Sequence, residues 1–119
     1  MRHRVKKIPK LGRQADHRKL LIRNLATSLI LHDKIQTSVT KAKALQPFFD
    51  RIITNLKKKV DDREAIRYLK GIILDEKAQR KMLLELKPKY LNTKSGFTRI
   101  TPIGIQKGDA TLKVQIELI

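Results

Sequence analysis

Arg2, Arg4, Lys6, Lys7, Lys10 and Arg13 recur every one to three residues along the start of the chain, and Arg18, Lys19 and Arg23 follow within ten more. These nine cations face a single acid, Asp16, so the first 23 residues carry +8 of the chain's net +17. Like charges packed this closely repel one another in a free protein, and a polyanion that brings its own negative field relieves that cost. The chemistry they offer is neutralisation of phosphates, with release of counterions at each contact.

Other residues of chemical interest do not assemble into a reaction centre. Asp61, Asp62 and Glu64 cluster where a helix is expected to begin, and there acids cap free amides and favour the helix dipole. His3, His17 and His32 fall at no metal-ligand spacing and have no cysteine partners, so no metal site is expected. Ser28 lacks a nucleophile-elbow context, and neither Gly104 nor Gly108 opens a helix that could cradle a phosphate. The residues support no enzyme, cofactor or small-molecule substrate.

The elements that would carry the cations can be read from periodicity. Residues 1 to about 15 hold Pro9, Gly12 and few large apolar side chains, so they are expected to be extended or disordered in the free protein. Asp16 is expected to cap a helix over 17 to 32, since Leu21, Ile22, Leu25, Ala26, Leu29 and Ile30 recur at helical spacing. Arg18, Lys19 and Arg23 then stand in its first two turns, where the dipole prefers acids, and such a local violation points to function. Residues 34 to 39 alternate as a short strand. Thr40 is expected to cap a second helix over 41 to 59, whose stripe runs through Ala44, Leu45, Phe48, Phe49, Ile52, Ile53, Leu56 and Val60, with Pro47 inside it.

Asp61 or Asp62 should cap a third helix carrying Ala65, Ile66 and Leu69. Asp75 should cap a fourth carrying Ala78, Met82, Leu83 and Leu86, closed by Pro88. Phe97 to Ile100 reads as a strand ended by Pro102. Leu112, Val114, Ile116 and Leu118 alternate with Lys113, Gln115 and Glu117 in the clearest strand of the chain, and Lys107-Gly108-Asp109 supplies a hairpin turn between these two strands.

A chain of 119 residues and 13.8 kDa makes one domain. Three Phe, two Tyr and no Trp leave the core to Leu, Ile and Val, and the lack of cysteine excludes disulfides and fits a reducing compartment. No apolar run approaches the roughly 18 residues of a membrane span, and the basic start reads as neither a secretory signal nor a transit peptide. A membrane-surface reading lacks aromatic anchors on the first helix. A DNA reading lacks a helix-turn-helix, since a strand separates the first two helices. Sparse aromatics argue against a platform for single strands, leaving phosphate and shape recognition of folded RNA.

Longer motifs add a resemblance. Met1-Arg2-His3-Arg4, Gly12-Arg13, His17-Arg18, Arg23-Asn24 and Ser28-Leu29 are followed by Ile35-Gln36-Thr37-Ser38 and Lys41-Ala42-Lys43. Ile52-Ile53-Thr54, Pro88, Gly96-Phe97-Thr98-Arg99-Ile100, Lys107-Gly108-Asp109-Ala110 and Glu117-Leu118 continue the series. In this order, and over nearly the whole chain, they closely resemble the bacterial large-subunit ribosomal protein seventeen family.

The resemblance implies a non-catalytic constituent of the 50S subunit, cytoplasmic and ribosome-bound. Its implied partners are 23S rRNA near the polypeptide exit side and neighbouring large-subunit proteins. It implies an α/β (α+β) fold, with helices packed on a small three-stranded mixed sheet. Residues 1–15 would form a basic RNA-binding extension and residues 16–119 a single compact domain. Some members carry an acidic or low-complexity C-terminal extension, and no role of that kind is expected here.

The RNA-binding residues are then Arg2, His3, Arg4, Lys6, Lys7, Lys10 and Arg13 on the extension, Arg18 and Arg23 on the first helix, Lys41 and Lys43 at the start of the second, and Arg99 on the hairpin. Thirteen extended residues would reach roughly 40 Å. His3 either stacks on a base or is solvated, and Arg99 either meets RNA or pairs with Glu117 across the hairpin. The alternative to the ribosomal role is a free or nucleoid-type basic nucleic-acid-binding protein.

Overall fold

A computed structural model describes residues 14–105, 108 and 112–119. The expected extension, with Arg2 to Arg13, lies outside the described residues, as do Lys107 and Asp109 of the hairpin turn. The elements in order are α1 (Ala15–His32), β1 (Lys34–Ser38), α2 (Val39–Lys57), α3 (Asp62–Lys70), α4 (Glu76–Lys81), β2 (Thr98–Ile105) and β3 (Leu112–Leu118).

The three strands form one sheet in the order β1-β3-β2, antiparallel at both pairings and so not mixed. β3 is central, pairing with its hairpin partner β2 on one side and with the distant β1 on the other. Ile35, Ile116 and Ile100 align in one row across the sheet. The side-chain period of two sends this row to the helix-covered face, where Val114 and Ile116 are buried. The next row, Lys34, Glu117 and Arg99, therefore lies on the outer face.

α1 and α2 cover the inner face. α2 supplies the largest share of the core, with Leu45, Phe49, Ile52, Ile53 and Leu56 all buried, and α1 adds Ala26, Leu29 and Ile30. α3 and α4 close the remaining side through Leu69 and Ala78, joined by Ile73 from the loop between them and Met82 from the turn that follows α4. The expected stripe on α2 holds except at its end: Val60 lies beyond the helix and is 94% exposed. On α3, Ile66 is exposed while Ala65 and Leu69 point inward.

Several expected boundaries shift for identifiable reasons. Asp16 is not the cap of α1; Gln14 occupies that position without a side-chain hydrogen bond, and Asp16 stands inside the first turn. Ser38, not Thr40, caps α2, its hydroxyl accepting from the Lys41 N–H at 3.4 Å. The last residue of β1 thus doubles as a helix cap, and no linker separates the two elements. Asp61 caps α3 and Asp75 caps α4, each accepting a backbone N–H two residues on.

Both helical prolines are accommodated within their helices. Pro47 lies inside α2, which continues through it while Phe49 and the following turns are anchored in the core. Pro88 does not close the fourth helix. α4 runs into a π-helical turn over Met82–Leu86 and then a last α turn at Lys87–Lys89. A proline ring meets the carbonyl four residues back, here Leu84, and the widened turn contains that carbonyl.

β2 likewise passes Pro102. It is an edge strand, where a missing donor costs no ladder bond, and its register shifts between Pro102 and Gly104 as a bulge. Before it, Gly96 takes φ 76°, a left-handed conformation that favours glycine.

Candidate nucleic-acid interface

The expected site residues that the structure describes fall into three places. Arg18 and Arg23 both line a groove of about 270 Å3 between α1 and α2. Lys19, from the same turns of α1, and Arg51, from α2, complete its basic rim. Ile22, Ala44 and Phe48 form its floor. Ile22 and Ala44 are buried, and Phe48 is half-buried.

Lys41 belongs to the same side of α2. Residues 41, 44, 48 and 51 follow the three-four-three spacing of one helical face, so Lys41 continues the line of Ala44, Phe48 and Arg51 toward the helix start. Lys43 is exposed on the other flank. That flank faces the segment leading into β2: Gln46 Nε2 donates to the Thr98 carbonyl at 3.3 Å, and Lys57 Nζ donates to the Thr93 carbonyl and lies 5.4 Å from the centre of the Phe97 ring.

Arg99 stands apart, on the outer face of the sheet. It sits directly across from Glu117, with Nε 3.8 Å from Oε1 in an exposed ion pair. Exposed pairs of this length hold little energy, so Arg99 remains able to exchange partners.

Electrostatics concentrate on the groove. Its lining contains four cations and no carboxylate, and among the described residues none of the four enters an ion pair. The first amides of α1 receive no side-chain cap, and the first turn of α2 contains no acid. The free N–H groups and positive end of α1 therefore add to the charge of Arg18 and Lys19 beside them, with Asp16 in the first turn offsetting part of it, and the acid-free start of α2 favours a phosphate at Lys41.

The same inventory limits other chemistry. Among the described residues, no group of three or more His, Cys, Asp or Glu could hold a metal ion, and no helix is long and apolar enough to cross a membrane. Asp50 is the one acid of α2. Burial pushes its carboxyl above the usual range, against the opposing effect of the Phe97 backbone N–H, and its Oδ1 is buried without a hydrogen-bond partner.

Sequence reasoning assigned no role to Arg51 and left Lys19 out of the site. The available signal was the spacing Lys41, Ala44, Phe48, Arg51, which places cations at both ends of one face. The packing of that face beside the start of α1 is a tertiary fact, carried by no local pattern.

Residues 21–119 match the family model described as ribosomal protein L17. The large ribosomal subunit protein bL17 of Sulfurimonas denitrificans is 40% identical over 119 residues, which cover 100% of both chains. The protein of the same name from Fusobacterium nucleatum is 41% identical over 112 residues, 92% of this chain and 93% of the relative. That from Moorella thermoacetica is 42% identical over 113 residues, 92% and 96% of the two chains. Identity at this level over 92–100% of the chain, together with the family-model match and the expected helices and sheet, shows that the chain belongs to the ribosomal protein L17 family of structural, non-enzymatic ribosomal components.

Proposed function

We propose that the chain is a structural constituent of the large ribosomal subunit that binds 23S rRNA near the polypeptide exit side, cytoplasmic and ribosome-bound. The observation that carries RNA binding is the basic rim formed by Arg18, Lys19, Arg23 and Arg51, which has no carboxylate to neutralise it. Three cations from the N-terminal half of α1, with Arg51 of α2 across the groove, make a site for phosphates. Residues 1–15 extend that site along the RNA as a basic arm, and residues 16–119 form the domain that anchors it. Lys41, Lys43 and Arg99 add phosphate contacts at the periphery.

Neighbouring large-subunit proteins are the second class of partner. Ile103, Ile105 and Leu112 at the far end of the β2–β3 hairpin are 48%, 70% and 40% exposed. Apolar side chains grouped on a strand end are suited to burial against another protein.

Co-sedimentation with 50S particles through a high-salt wash tests the ribosomal reading, combined with mapping of the rRNA positions that crosslink to residues 2–23. Retention with crosslinks confined to 23S rRNA is expected. Loss from the particles, with equal binding to bulk DNA and RNA, would favour a free or nucleoid-type protein instead.

A further inference from the structure

We infer that the α1–α2 groove captures one unpaired nucleotide of the bound RNA, its base on the apolar floor and its flanking phosphates on the basic rim. This rests on the reading that the chain binds rRNA, and adds to it a base contact where the composition suggested phosphate and shape recognition alone.

Three features of the groove converge on such a ligand. Its floor is apolar and includes an aromatic ring, Phe48, that remains half-buried although α2 buries Phe49 completely. A phosphate-only site has no use for such a floor. Its volume of about 270 Å3 exceeds the roughly 150 Å3 that accepts a benzene ring in an engineered protein cavity, so a pyrimidine or purine has room. Its rim presents three guanidinium groups and an ammonium. Guanidinium planes both stack on bases and bind phosphates bidentately.

Charge complementarity selects the occupant. An apolar peptide would leave four cations facing it, and an inorganic anion would leave the floor unfilled. A nucleotide has an aromatic body and an anionic backbone joined at the spacing of one sugar. Unpaired bases splayed from folded RNA are the usual targets of aromatic and arginine stacking.

The test uses the full chain with three probes: a single-stranded hexamer of adenylate, a hexamer of the same length and charge lacking bases, and hexaglutamate. The adenylate hexamer is expected to bind about five- to tenfold more tightly than the abasic one, the gain characteristic of one stacked base. Phe48→Leu, which keeps the apolar volume and removes the ring, should erase that difference while leaving abasic binding unchanged. Arg51→Gln, at an exposed position, should weaken binding of both hexamers and serves as the readout if Phe48→Leu does not fold. Intact 23S rRNA is measured alongside. Equal binding of both hexamers with 23S binding retained would overturn the base slot and leave the RNA reading standing, as would hexaglutamate binding as tightly as adenylate. Failure of 23S rRNA itself to bind would instead overturn the proposed function.

Discussion

Asp33 and Lys81 join the end of α1 to α4 through a 2.7 Å contact between Oδ1 and Nζ. Asp33 also carries the backbone turn at that point. It takes φ 65°, its N–H donates to the Leu29 carbonyl at 2.8 Å, and its carbonyl accepts from the Leu118 N–H at 2.9 Å. One residue thus ends a helix in a left-handed conformation, receives the end of the central strand and pairs with a second helix.

Separate variants distinguish those roles. A non-glycine residue in the left-handed region costs roughly 1–2 kcal/mol, less for Asp than for Ala. Asp33→Ala is expected to destabilise the protein by about 1–2 kcal/mol in urea unfolding. Asp33→Gly, which removes the same carboxylate but relaxes the backbone, should cost less than Asp33→Ala. Lys81→Ala should cost under about 1 kcal/mol, because the Asp33 side chain is largely solvent-exposed. A larger loss for Asp33→Gly than for Asp33→Ala would make the turn conformation irrelevant to stability.

The longest buried stripe gives a second expectation. Phe49 is fully buried among Leu45, Ile52 and Ile53, so Phe49→Ala is expected to leave a cavity and cost about 3–5 kcal/mol. Lys58, at the exposed end of α2, is the matched control, and Lys58→Ala should stay within about 0.5 kcal/mol. Equal denaturation midpoints for the two variants would show that the stripe does not hold the core.

These residues also show what was legible in the sequence. Leu112 to Leu118 alternate with a period of two, and only a strand places such a set on one face; β3 follows. The α2 stripe was legible for the same reason, with Val60 misplaced because periodicity continues past the point where the chain leaves the helix. Caps were legible where an acid precedes a helix after a loop, as at Asp61 and Asp75. They were not where a strand runs straight into a helix, as at Ser38, because the strand's last residue and the cap are one position.

The length of β2 was not legible. A proline in a strand is tolerated only at an edge or a bulge, and whether Pro102 occupies such a place depends on which strand lies at the centre of the sheet. The groove was legible in halves. Arg18 and Arg23 stood out on α1 by violating the dipole preference, whereas Arg51 on α2 acquires its meaning from helix packing.

Asp50 supplies a pH dependence. Its carboxyl is raised in the folded protein, chiefly by burial, so as pH falls the folded chain takes up this proton before the unfolded chain does. The cost of holding the buried charge is therefore present at neutral pH. It fades as pH falls through the raised value and is gone below the ordinary carboxylate value of 3.8. Asp50→Asn keeps an acceptor toward the Phe97 N–H and removes the charge, and it is expected to raise the thermal midpoint at pH 7. The gain should shrink steadily toward pH 4. A gain that does not vary with pH would trace the effect to packing instead of charge.

The salt dependence of RNA binding separates the cations by their surroundings. Removing one cation that neutralises a phosphate should lower the slope of log affinity against log salt by roughly 0.7–0.9. Arg23 is half-buried beside three other cations and no acid, so Arg23→Ala should produce a full step of that size. Arg4 and Lys7 carry the same expectation from their place in the basic arm, and the paired Arg4→Ala, Lys7→Ala variant should lower the slope by about two steps. Arg99 is different because Glu117 already faces it at 3.8 Å. Replacing Arg99 with Ala removes one positive charge but frees a carboxylate of opposite sign, so affinity should fall with a slope change smaller than that for Arg23. Titrations of 23S rRNA fragments between about 50 and 200 mM salt cover the range over which such slopes are resolved. An unchanged slope for Arg23→Ala, or a full step for Arg99→Ala with none for the groove, would move the phosphate-binding surface from the α1–α2 side of the domain to the outer face of the sheet.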